Sequence, residues 1–589
     1  SSSSEVDERT LREIYFPAFE TAVKKAQPYT FMCSYNQING TFASENKWLL
    51  TDVLRGEWGF KGYVMSDWGA VNDRVKGLEA GLELEMPASG GDNDAMIVKA
   101  VKDGALEEKI LDQAVERILR IIFEYADHRK PQEFTMEKDH EEAQHIAEES
   151  MVLLKNENHI LPLKTSEKAA FIGGFARNPR FQGGGSSHIN CFKKTNVLDS
   201  VPCDAQVVYA EGFPADRDAY DEMLAAAAIK AAENADKAVI FAGLPDSFES
   251  EGYDRTSMEL PKCQNRLIEV VAEIQKNVVV VLHNGSPVET PWAESVNAIL
   301  EMYLGGEGIG EASDRLLFGE ANPGGRLAET FPYRLEDNPS YLNFPGDGRT
   351  VLYGEDIFVG YRYYDAKKVP VRWAFGHGLS YTEFSYSNMK LSSVEMKDGD
   401  VLRVSIDVEN TGKMAGSEVV QLYVSDKDST VPRAVKELKG FAKVFLNPGE
   451  KKTVTMELCA RDFAYYETKI HDWYTPSGTY EIQIGHASDD IRETAKLSFT
   501  TDVSLPFTVD MTTTMGELMS HPKTAGKMME YLEGISQGEE PKKEDGEVQL
   551  VTPEIIAQMP LKSFLSVIPG EAIEQMIVEL NSLCAEEGK

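Results

Sequence analysis

The sequence predicts a multidomain protein of the α/β plus β type, with a partial (β/α)8-type barrel, an α/β sandwich, a β-sandwich and a C-terminal helical appendage. Three patterns lead to this prediction. Short apolar strands alternate with amphipathic helices over residues 1–130, near-continuous apolar runs follow over 131–384, and period-two alternation dominates 385–502. A chain of 589 residues with 42% hydrophobic composition can divide into several domains that each bury a core.

Residues 1–130 form a βα series. Strands are predicted at 30–35, 62–66 and 82–86, and helices at 47–57, 93–103 and 108–125. A closed barrel of this type needs eight such units over about 250 residues, and only about three are visible here. We therefore interpret residues 1–130 as the C-terminal part of a barrel.

Three further regions follow. Residues 131–384 hold a linker and then apolar strands at 169–173, 237–243, 277–282 and 298–302, which is typical of a parallel sheet covered by helices on both faces. Residues 385–502 alternate with period two between turns such as Asn447-Pro448-Gly449, which predicts a β-sandwich. Residues 503–589 return to helical periodicity around a charged interval, Gly538 to Glu547, and predict a helical extension.

Composition excludes several classes of function. A net charge of −36 makes a nucleic-acid partner improbable, because such proteins concentrate Lys and Arg. No run of 18 or more apolar residues is present, so we expect no membrane span. The six cysteines are scattered, without a CxxC pair or metal-ligand spacing, and we interpret them as reduced thiols of a cytoplasmic protein without a metal or an organic cofactor.

Two acidic sites carry the chemistry. Asp67 follows the apolar run at 62–65 and precedes Trp68, which suggests a carboxylate at the mouth of a barrel beside an aromatic platform for a sugar ring. Glu249 and Glu251 lie about 180 residues further on, in another domain. Glycoside hydrolysis typically requires two carboxyl groups that face one pocket. The alternatives are a helix N-cap at Asp67, helped by Ser66, and a solvated acidic loop that pairs with Arg255.

Two other features are interpreted as non-catalytic or left open. The run Gly183-Gly184-Gly185-Ser186-Ser187 is not followed by the Lys-Ser/Thr pair of a P-loop, so we reject nucleotide binding. It is either a flexible linker or a loop that reaches a sugar. His283 ends an apolar strand and is interpreted as structural.

An ordered set of motifs resembles the β-glucosidases of glycoside hydrolase family 3 over about residues 5–500. The motifs are Met32-Cys33-Ser34-Tyr35-Asn36, Ser66-Asp67-Trp68, Gln182 to Ser187, Glu251-Gly252-Tyr253-Asp254-Arg255, Asn322 to Leu327 and Phe375 to Tyr381. The resemblance implies a barrel, an α/β sandwich, a fibronectin type III-like domain, and retention of anomeric configuration.

Carried over residue by residue, the resemblance implies that Asp67 is the nucleophile and that Tyr35 hydrogen-bonds it. Met32 and Trp68 would line the glucosyl subsite. A general acid must be protonated to act, so we expect it in a less solvated site, and Glu251 is chosen with Glu249 as the alternative. The same resemblance makes Ser186 and Ser187 candidate contacts to a sugar hydroxyl.

Trp68 favours β-D-glucosides, because relatives specialised for xylosides or arabinosides tend to carry Cys at this position. The family's glucose-binding residues of the first barrel half have no counterpart here. We therefore expect that this half is absent and that an N-terminal segment or a companion polypeptide completes the barrel; homo-oligomers are also considered. Two alternatives to a β-glucosidase remain. One is a β-xylosidase or another exo-glycosidase of the family, and the other is a non-catalytic carbohydrate-binding or assembly protein.

Overall fold

The computed structural model describes residues 2–536, 552–566 and 568–585. The chain divides into two compact units, which are Ser1–Tyr466 with Thr475–Thr500, and Glu467–Tyr474 with Thr501–Lys589. All candidate site residues belong to the first unit.

Two parallel strands carry the residues around Asp67. Thr30–Cys33 and Tyr63–Ser66 pair in parallel, with Cys33 opposite Ser66, and Leu84 adds one parallel bridge to Met65. Within the described part of residues 1–130, this parallel sheet has two strands, so the barrel prediction is not confirmed. The strands of this region are Ser3–Glu5, Thr30–Cys33, Gln37–Ile38, Thr41–Phe42 and Tyr63–Ser66, and its helices are Glu8–Thr10, Leu11–Tyr15, Pro17–Ala26, Ala43–Glu45, Trp48–Glu57, Arg74–Ala80, Asp92–Lys102 and Glu108–His128.

The predicted strand at 82–86 is reduced to that single bridge for a physical reason. The buried carboxylate of Glu83 accepts a hydrogen bond from the backbone N–H of Val64 at 2.7 Å. A side chain therefore takes the donor that a third strand would have used. Arg55 and Arg117 neutralise the same carboxylate at 2.8 Å and 2.6 Å, which makes its burial tolerable.

A six-stranded sheet forms the centre of the first unit. Its order is Val152–Asn156, Ala298–Glu301, Val278–His283, Lys237–Gly243, Lys168–Ile172 and Gln206–Ala210. The first strand is antiparallel to its neighbour, and the other five are parallel. Every residue of Val278–His283 and Lys237–Gly243 is buried, as expected for strands covered on both faces. The helices are Met136–Ser150, Val197–Ser200, Glu222–Glu233, Lys262–Ile274, Ile309–Leu317 and Tyr361–Lys367.

Residues from Phe384 to Tyr466 and from Thr475 to Thr500 form a β-sandwich, as predicted from the period-two alternation. One sheet has the order Phe384–Leu391, Val401–Asn410 and Lys451–Cys459, and the other has the order Glu395–Lys397, Asp490–Thr500, Gly478–Ala487, Gly416–Asp426 and Glu437–Leu446. Alternate residues of Val401–Asn410 are buried, because one face of each strand lies against the opposite sheet.

The second unit is helical and has its own apolar core. Its helices are Met515–Ser520, Pro522–Ser536, Pro553–Gln558, Leu561–Ser566 and Gly570–Ala585. Leu518, Ile573 and Leu580 are fully buried in this core. The charged interval Gly538 to Glu547 lies outside the described residues.

A buried ion pair joins the α/β sandwich to the β-sandwich. Glu418 is 1% exposed and accepts hydrogen bonds from Arg326 at 3.0 Å and from His486 at 3.1 Å. Burial alone would raise the pKa of Glu418, but the positive charge of Arg326 and the hydrogen bond from His486 hold this pKa at about 2. Two motifs singled out in the sequence meet near this pair, because Asn322 accepts hydrogen bonds from Ser380 and the backbone N–H of Tyr381.

Replacing Glu418 by glutamine is expected to destabilise the fold strongly. The change leaves Arg326 buried without its partner, which typically costs about 3–5 kcal/mol. The contribution of Glu418 is full above its ordinary pKa of 4.5 and is lost as pH falls to about 2, because its folded-state pKa is depressed. Calorimetry at neutral and acidic pH measures both effects. As a control, Glu457→Gln removes an exposed pair with Arg403 at 2.9 Å and should change stability by less than about 1 kcal/mol. Equal effects of the two changes would contradict the prediction.

Candidate active site

Asp67 is anchored directly after the strand Tyr63–Ser66. Its backbone N–H donates to the carbonyl of Cys33 at 3.0 Å, and its own carbonyl accepts from Ala70 at 3.0 Å. The Ser66 hydroxyl accepts from the backbone N–H of Met86 at 2.8 Å and donates to its carbonyl at 3.1 Å. The strand end is thereby fixed from both sides, and the half-buried Asp67 side chain lies at the carboxyl edge of the parallel pair.

The alternative interpretation of Asp67 as a helix N-cap is wrong. The next helix, Arg74–Ala80, is capped by Asp73, which accepts hydrogen bonds from the N–H groups of Val75 and Lys76 at 3.1 Å each. The Asp67 carboxylate accepts instead from the N–H of its neighbour Trp68 at 2.6 Å. Capping therefore does not account for Asp67.

Tyr35 lies beside Asp67 because the two residues follow neighbouring parallel strands. Its hydroxyl lies 2.9 Å from the carbonyl oxygen of Trp68 and also hydrogen-bonds the Asp67 carboxylate. Desolvation, this hydrogen bond and the negative charges of Asp67 and Glu251 raise the pKa of Tyr35, so the phenol stays protonated and acts as a donor.

The rim beside Asp67 is apolar and open. Trp68 is 65% exposed, Met32 is 59% exposed and Tyr35 is 43% exposed. Exposed aromatic faces next to a carboxylate are suited to the apolar face of a sugar ring. The structure thus brings Met32, Tyr35, Asp67 and Trp68 together at one edge.

Glu251 reaches the same place from the α/β sandwich. The negative charge of Asp67 acts on Glu251, and the negative charges of both carboxylates act on Tyr35, so the three side chains face one region. The Glu251 carboxylate accepts a short hydrogen bond from the backbone N–H of Ser186. The structure therefore brings together two acids that are 184 residues apart in the sequence and come from separate folding regions.

The environment predicted for Glu251 is corrected by the structure. We expected a less solvated carboxyl that stays protonated near neutral pH. Glu251 is exposed, and the N–H and hydroxyl of Ser186 lower its pKa. The carboxyl is therefore ionised in the free protein, because hydrogen bonds to the charged form outweigh its limited desolvation.

The glycine-rich run packs directly against the turn that carries Glu251. A Cβ atom at Gly184 would lie 2.3 Å from the Ser250 hydroxyl, and one at Gly185 would lie 2.4 Å from a Glu251 carboxylate oxygen. The Ser187 hydroxyl donates to the Gly184 carbonyl at 3.1 Å, so it is used within the loop. This run is a closely packed support for the turn and is not a free linker.

Glu249, the alternative acid, is surrounded by donors. Its carboxylate accepts from Arg180 at 2.6 Å, from the N–H of Gly285 at 2.8 Å and from the Ser286 hydroxyl. Burial would raise the pKa of Glu249, but the hydrogen bonds from Ser286, Gly285 and Arg180 lower it. Arg180 and Ser286 were missed in the sequence analysis. The signal for Arg180 was its position two residues before the singled-out segment that begins at Gln182.

His283 has the structural role predicted from its position. It is fully buried, stacks on Phe175 with ring centroids 5.9 Å apart, and burial lowers its pKa to about 4. A neutral, enclosed imidazole is a packing residue.

In the described ranges of the chain, no group of three or more His, Cys, Asp or Glu side chains could hold a metal ion. In the same ranges, no helix is long and apolar enough to cross a membrane.

Comparisons with known proteins agree with this architecture. Residues 2–121 match the glycosyl hydrolase family 3 N-terminal domain, residues 151–381 match the family's C-terminal domain, and residues 418–488 match a fibronectin type III-like domain. The first match places the family's N-terminal domain in this chain, contrary to the expectation that its first half is absent.

Individual relatives are similar over most of the chain. A protein named thermostable beta-glucosidase B from Acetivibrio thermocellus is 50% identical, covering 98% of this chain and 77% of the relative. An exo-alpha-(1->6)-L-arabinopyranosidase from Bifidobacterium breve is 42% identical over the same shares. The crystal structure of a Bifidobacterium adolescentis GH3 beta-glucosidase has a TM-score of 0.84 and 43% identity, covering 90% of this chain and 78% of that one. Fold and site define a carbohydrate-processing enzyme. The chain belongs to glycoside hydrolase family 3.

Proposed function

We propose that this protein hydrolyses terminal, non-reducing β-D-glucosyl residues with retention of configuration. The observation that carries the proposal is the meeting of Asp67, Tyr35 and Glu251 beside the exposed ring of Trp68. The similarity to β-glucosidases over nearly the whole chain supports the same substrate class. Two carboxyl groups with these roles define the double-displacement reaction.

In the first step, an Asp67 oxygen attacks the anomeric carbon and the bond to the leaving oxygen breaks. Glu251, in its protonated form, gives its proton to that oxygen. In the second step, the Glu251 carboxylate takes a proton from water, the water oxygen bonds to the anomeric carbon, and the bond to Asp67 breaks. Tyr35 holds the Asp67 carboxylate in place and stabilises its charge when it leaves.

In the free protein Glu251 is ionised, which is the form that the second step requires. The first step needs the protonated form, so the pKa of Glu251, lowered in the free protein by Ser186, has to rise when substrate binds. A sugar that displaces water and loosens the contact with Ser186 supplies this change, because desolvation disfavours the charged carboxylate.

Glu251 is preferred to Glu249 as the acid/base because of access. The Glu249 carboxylate accepts from three donors, whereas the exposed Glu251 carboxylate accepts from the N–H of Ser186. A proton donor has to reach the leaving oxygen, and freeing Glu249 for that task would remove its 2.6 Å ion pair with the buried Arg180, leaving the exposed Asp246 as the carboxylate beside that cation.

Trapping the covalent intermediate tests the proposal. A 2-deoxy-2-fluoro-β-D-glucosyl fluoride should add one fluoroglucosyl unit to the intact protein, and peptide mapping should place it on Asp67. Labelling of another carboxylate would reject the assigned nucleophile. No labelling together with no turnover would favour the non-catalytic alternative.

One observation favours a second substrate class. A relative with 42% identity is named an exo-alpha-(1->6)-L-arabinopyranosidase, so a pentopyranoside is the competing substrate. The values of kcat/KM for 4-nitrophenyl β-D-glucoside, α-L-arabinopyranoside and β-D-xyloside decide between these substrates. A larger value for either pentoside would replace the glucoside assignment.

The wider organisation is also proposed. We infer that residues 2–130 contribute to a (β/α)8-type barrel, since their parallel strands leave hydrogen-bonding edges and an apolar cavity of about 260 Å³ lies among their side chains. A companion polypeptide or a second copy would cover them, and intact mass with size-exclusion chromatography tests this. The cytoplasmic location is inferred from the scattered spacing of the cysteines in the sequence and is tested by cell fractionation.

Replacing Gly185 by alanine is expected to lower kcat/KM by about 10- to 100-fold, because small displacements of reacting groups have effects of this size. The new Cβ would lie 2.4 Å from a Glu251 carboxylate oxygen and would push that side chain away. Steady-state kinetics on an aryl β-glucoside measures the loss. The control is Gly104→Ala, which has nearly the same positive φ, +73° against +76°, but no atom within 4 Å of the new Cβ. A loss equal to the control's would show that backbone strain alone is responsible.

A further inference from the structure

Glu249 is tied to two separate parts of the α/β sandwich. One carboxylate oxygen accepts from Arg180 at 2.6 Å and from the N–H of Gly285 at 2.8 Å, and the other accepts from the Ser286 hydroxyl. Gly285 and Ser286 lie two and three residues after the end of the strand Val278–His283. The carboxylate therefore binds the loop after one strand to the rigid end of its neighbour.

Arg180 binds backbone carbonyls of the loop that follows the strand Lys237–Gly243. Its guanidinium donates to the carbonyl of Glu249 at 2.7 Å and to the carbonyl of Leu244 at 3.2 Å. Arg180 is buried, so these donors have no water as an alternative. The contacts fix the loop at its start, Leu244, and at Glu249, two residues before the proposed acid/base.

Arg255 holds the far side of the loop. Its guanidinium donates to the Ser286 hydroxyl at 2.6 Å and to the carbonyl of Pro287 at 3.1 Å, and it lies 3.8 Å from the Glu249 carboxylate. Ser286 is thus shared between Glu249 and Arg255. The turn Ser250–Tyr253, closed by a bridge between those two residues, is held at both ends by one connected network.

From this geometry we infer that Glu249 is a positioning residue, which fixes the turn that carries Glu251 so that the Glu251 carboxylate faces Asp67. The inference rests on the proposed function for the identity of the reacting groups. Glu249 then has a role other than proton transfer, because its carboxylate oxygens accept hydrogen bonds from Arg180, Gly285 and Ser286.

The charge balance explains why the effect should be large. Arg180 and Arg255 are both mostly buried and both face Glu249. Replacing Glu249 by glutamine keeps the volume but leaves the two guanidiniums facing each other without the carboxylate between them. The turn would then shift, and Glu251 would lose its contact with the Ser186 N–H.

The test compares Glu249→Gln with Asp246→Asn. Asp246 lies in the same loop and pairs with the same Arg180 at 3.1 Å, but its side chain is 74% exposed, so it is a matched charge-removal control. We expect kcat/KM for a 4-nitrophenyl β-glucoside to fall by about 10- to 100-fold in Glu249→Gln, and less than twofold in the control. The loss should be smaller for a 2,4-dinitrophenyl glucoside, because that leaving group needs little protonation.

Azide separates positioning from proton transfer. If Glu249 only positions Glu251, azide should not restore the rate of Glu249→Gln and no β-glucosyl azide should form. Formation of β-glucosyl azide in this variant would overturn the inference and make Glu249 the acid/base. An equal loss for both leaving groups would also overturn it, since a general structural defect would lower every rate alike.

Amide hydrogen exchange provides a readout that does not depend on activity. In Glu249→Gln, exchange should accelerate in peptides that cover 183–188 and 248–255, and the control should retain the parent's protection. Unchanged exchange would overturn the inference. If Glu249→Gln does not fold, Ser286→Ala removes the two hydrogen bonds of the Ser286 hydroxyl, to Glu249 and from Arg255, while keeping every charge, and should show the same pattern more weakly. Failure of the proposed function is distinct, because the parent protein itself would then not be labelled by the fluoroglucoside.

Discussion

Replacing Asp67 by asparagine is expected to lower kcat by about 10⁴-fold or more, as removal of a covalent nucleophile does in other enzymes. An amide oxygen is a poor nucleophile, so the glycosyl-enzyme cannot form at a useful rate. Thermal stability should change little, because the backbone contacts of Asp67 to Cys33 and Ala70 do not involve the carboxylate. Steady-state kinetics, the thermal midpoint and intact mass after fluoroglucoside treatment measure the three effects.

The control for this change is Asp52→Asn, an exposed aspartate on the helix Trp48–Glu57. It removes the same charge from the same region and should leave kcat and labelling unchanged. Retention of labelling in Asp67→Asn would mean that another carboxylate forms the intermediate. A large loss of stability in that variant would mean that Asp67 has a structural role that its hydrogen bonds do not show.

The position of Tyr35 beside Asp67 was implied by the resemblance to family 3, and the strand direction in the structure agrees with it. Both residues come directly after short apolar runs, and parallel neighbours place their carboxyl ends at one edge. The buried strands Lys237–Gly243 and Val278–His283 were predictable for a related reason. Continuous apolar runs are what a sheet covered on both faces requires.

Other elements depended on contacts that no local pattern contains. The antiparallel direction of Val152–Asn156 leaves no mark on its composition, and the edge strand Gln206–Ala210 is half-exposed and begins with a polar residue. The strand expected at 82–86 is reduced to the bridge between Met65 and Leu84, where the Glu83 side chain takes the hydrogen bond of Val64. In these cases a tertiary contact outweighs the periodicity.

The electrostatic state of the two candidate acids could not be read from the sequence either. Ser186, the donor to Glu251, is 65 residues away in the chain, and Arg180, the partner of Glu249, is 69 residues away. Whether a carboxyl faces a donor or an apolar wall decides the direction of its pKa shift. The segment Glu249 to Arg255 contains four charged residues in seven, so its pattern alone is also that of a solvated acidic loop.

Replacing Glu251 by alanine is expected to lower kcat/KM for an alkyl β-glucoside by about 10²- to 10⁴-fold, the range typical of general acid–base catalysis. A 2,4-dinitrophenyl glucoside should lose much less in the first step, because its leaving group departs without a proton. The second step still lacks its base, so the glycosyl-enzyme should accumulate and give a burst of phenol. Azide, which fits the space left by the side chain and needs no deprotonation, should restore turnover and yield β-glucosyl azide.

The stereochemistry of that azide product makes the experiment decisive. Attack on a glycosyl-enzyme formed at Asp67 gives the β-azide, so its detection supports both the covalent step and the role of Glu251. The control Glu259→Ala removes another exposed glutamate close in sequence and should give neither the burst nor the azide product. Because Glu251 contacts the Ser186 N–H and no buried cation, its removal should leave the thermal midpoint nearly unchanged. If Glu251→Ala loses activity equally for both leaving groups and azide has no effect, proton transfer belongs to another residue.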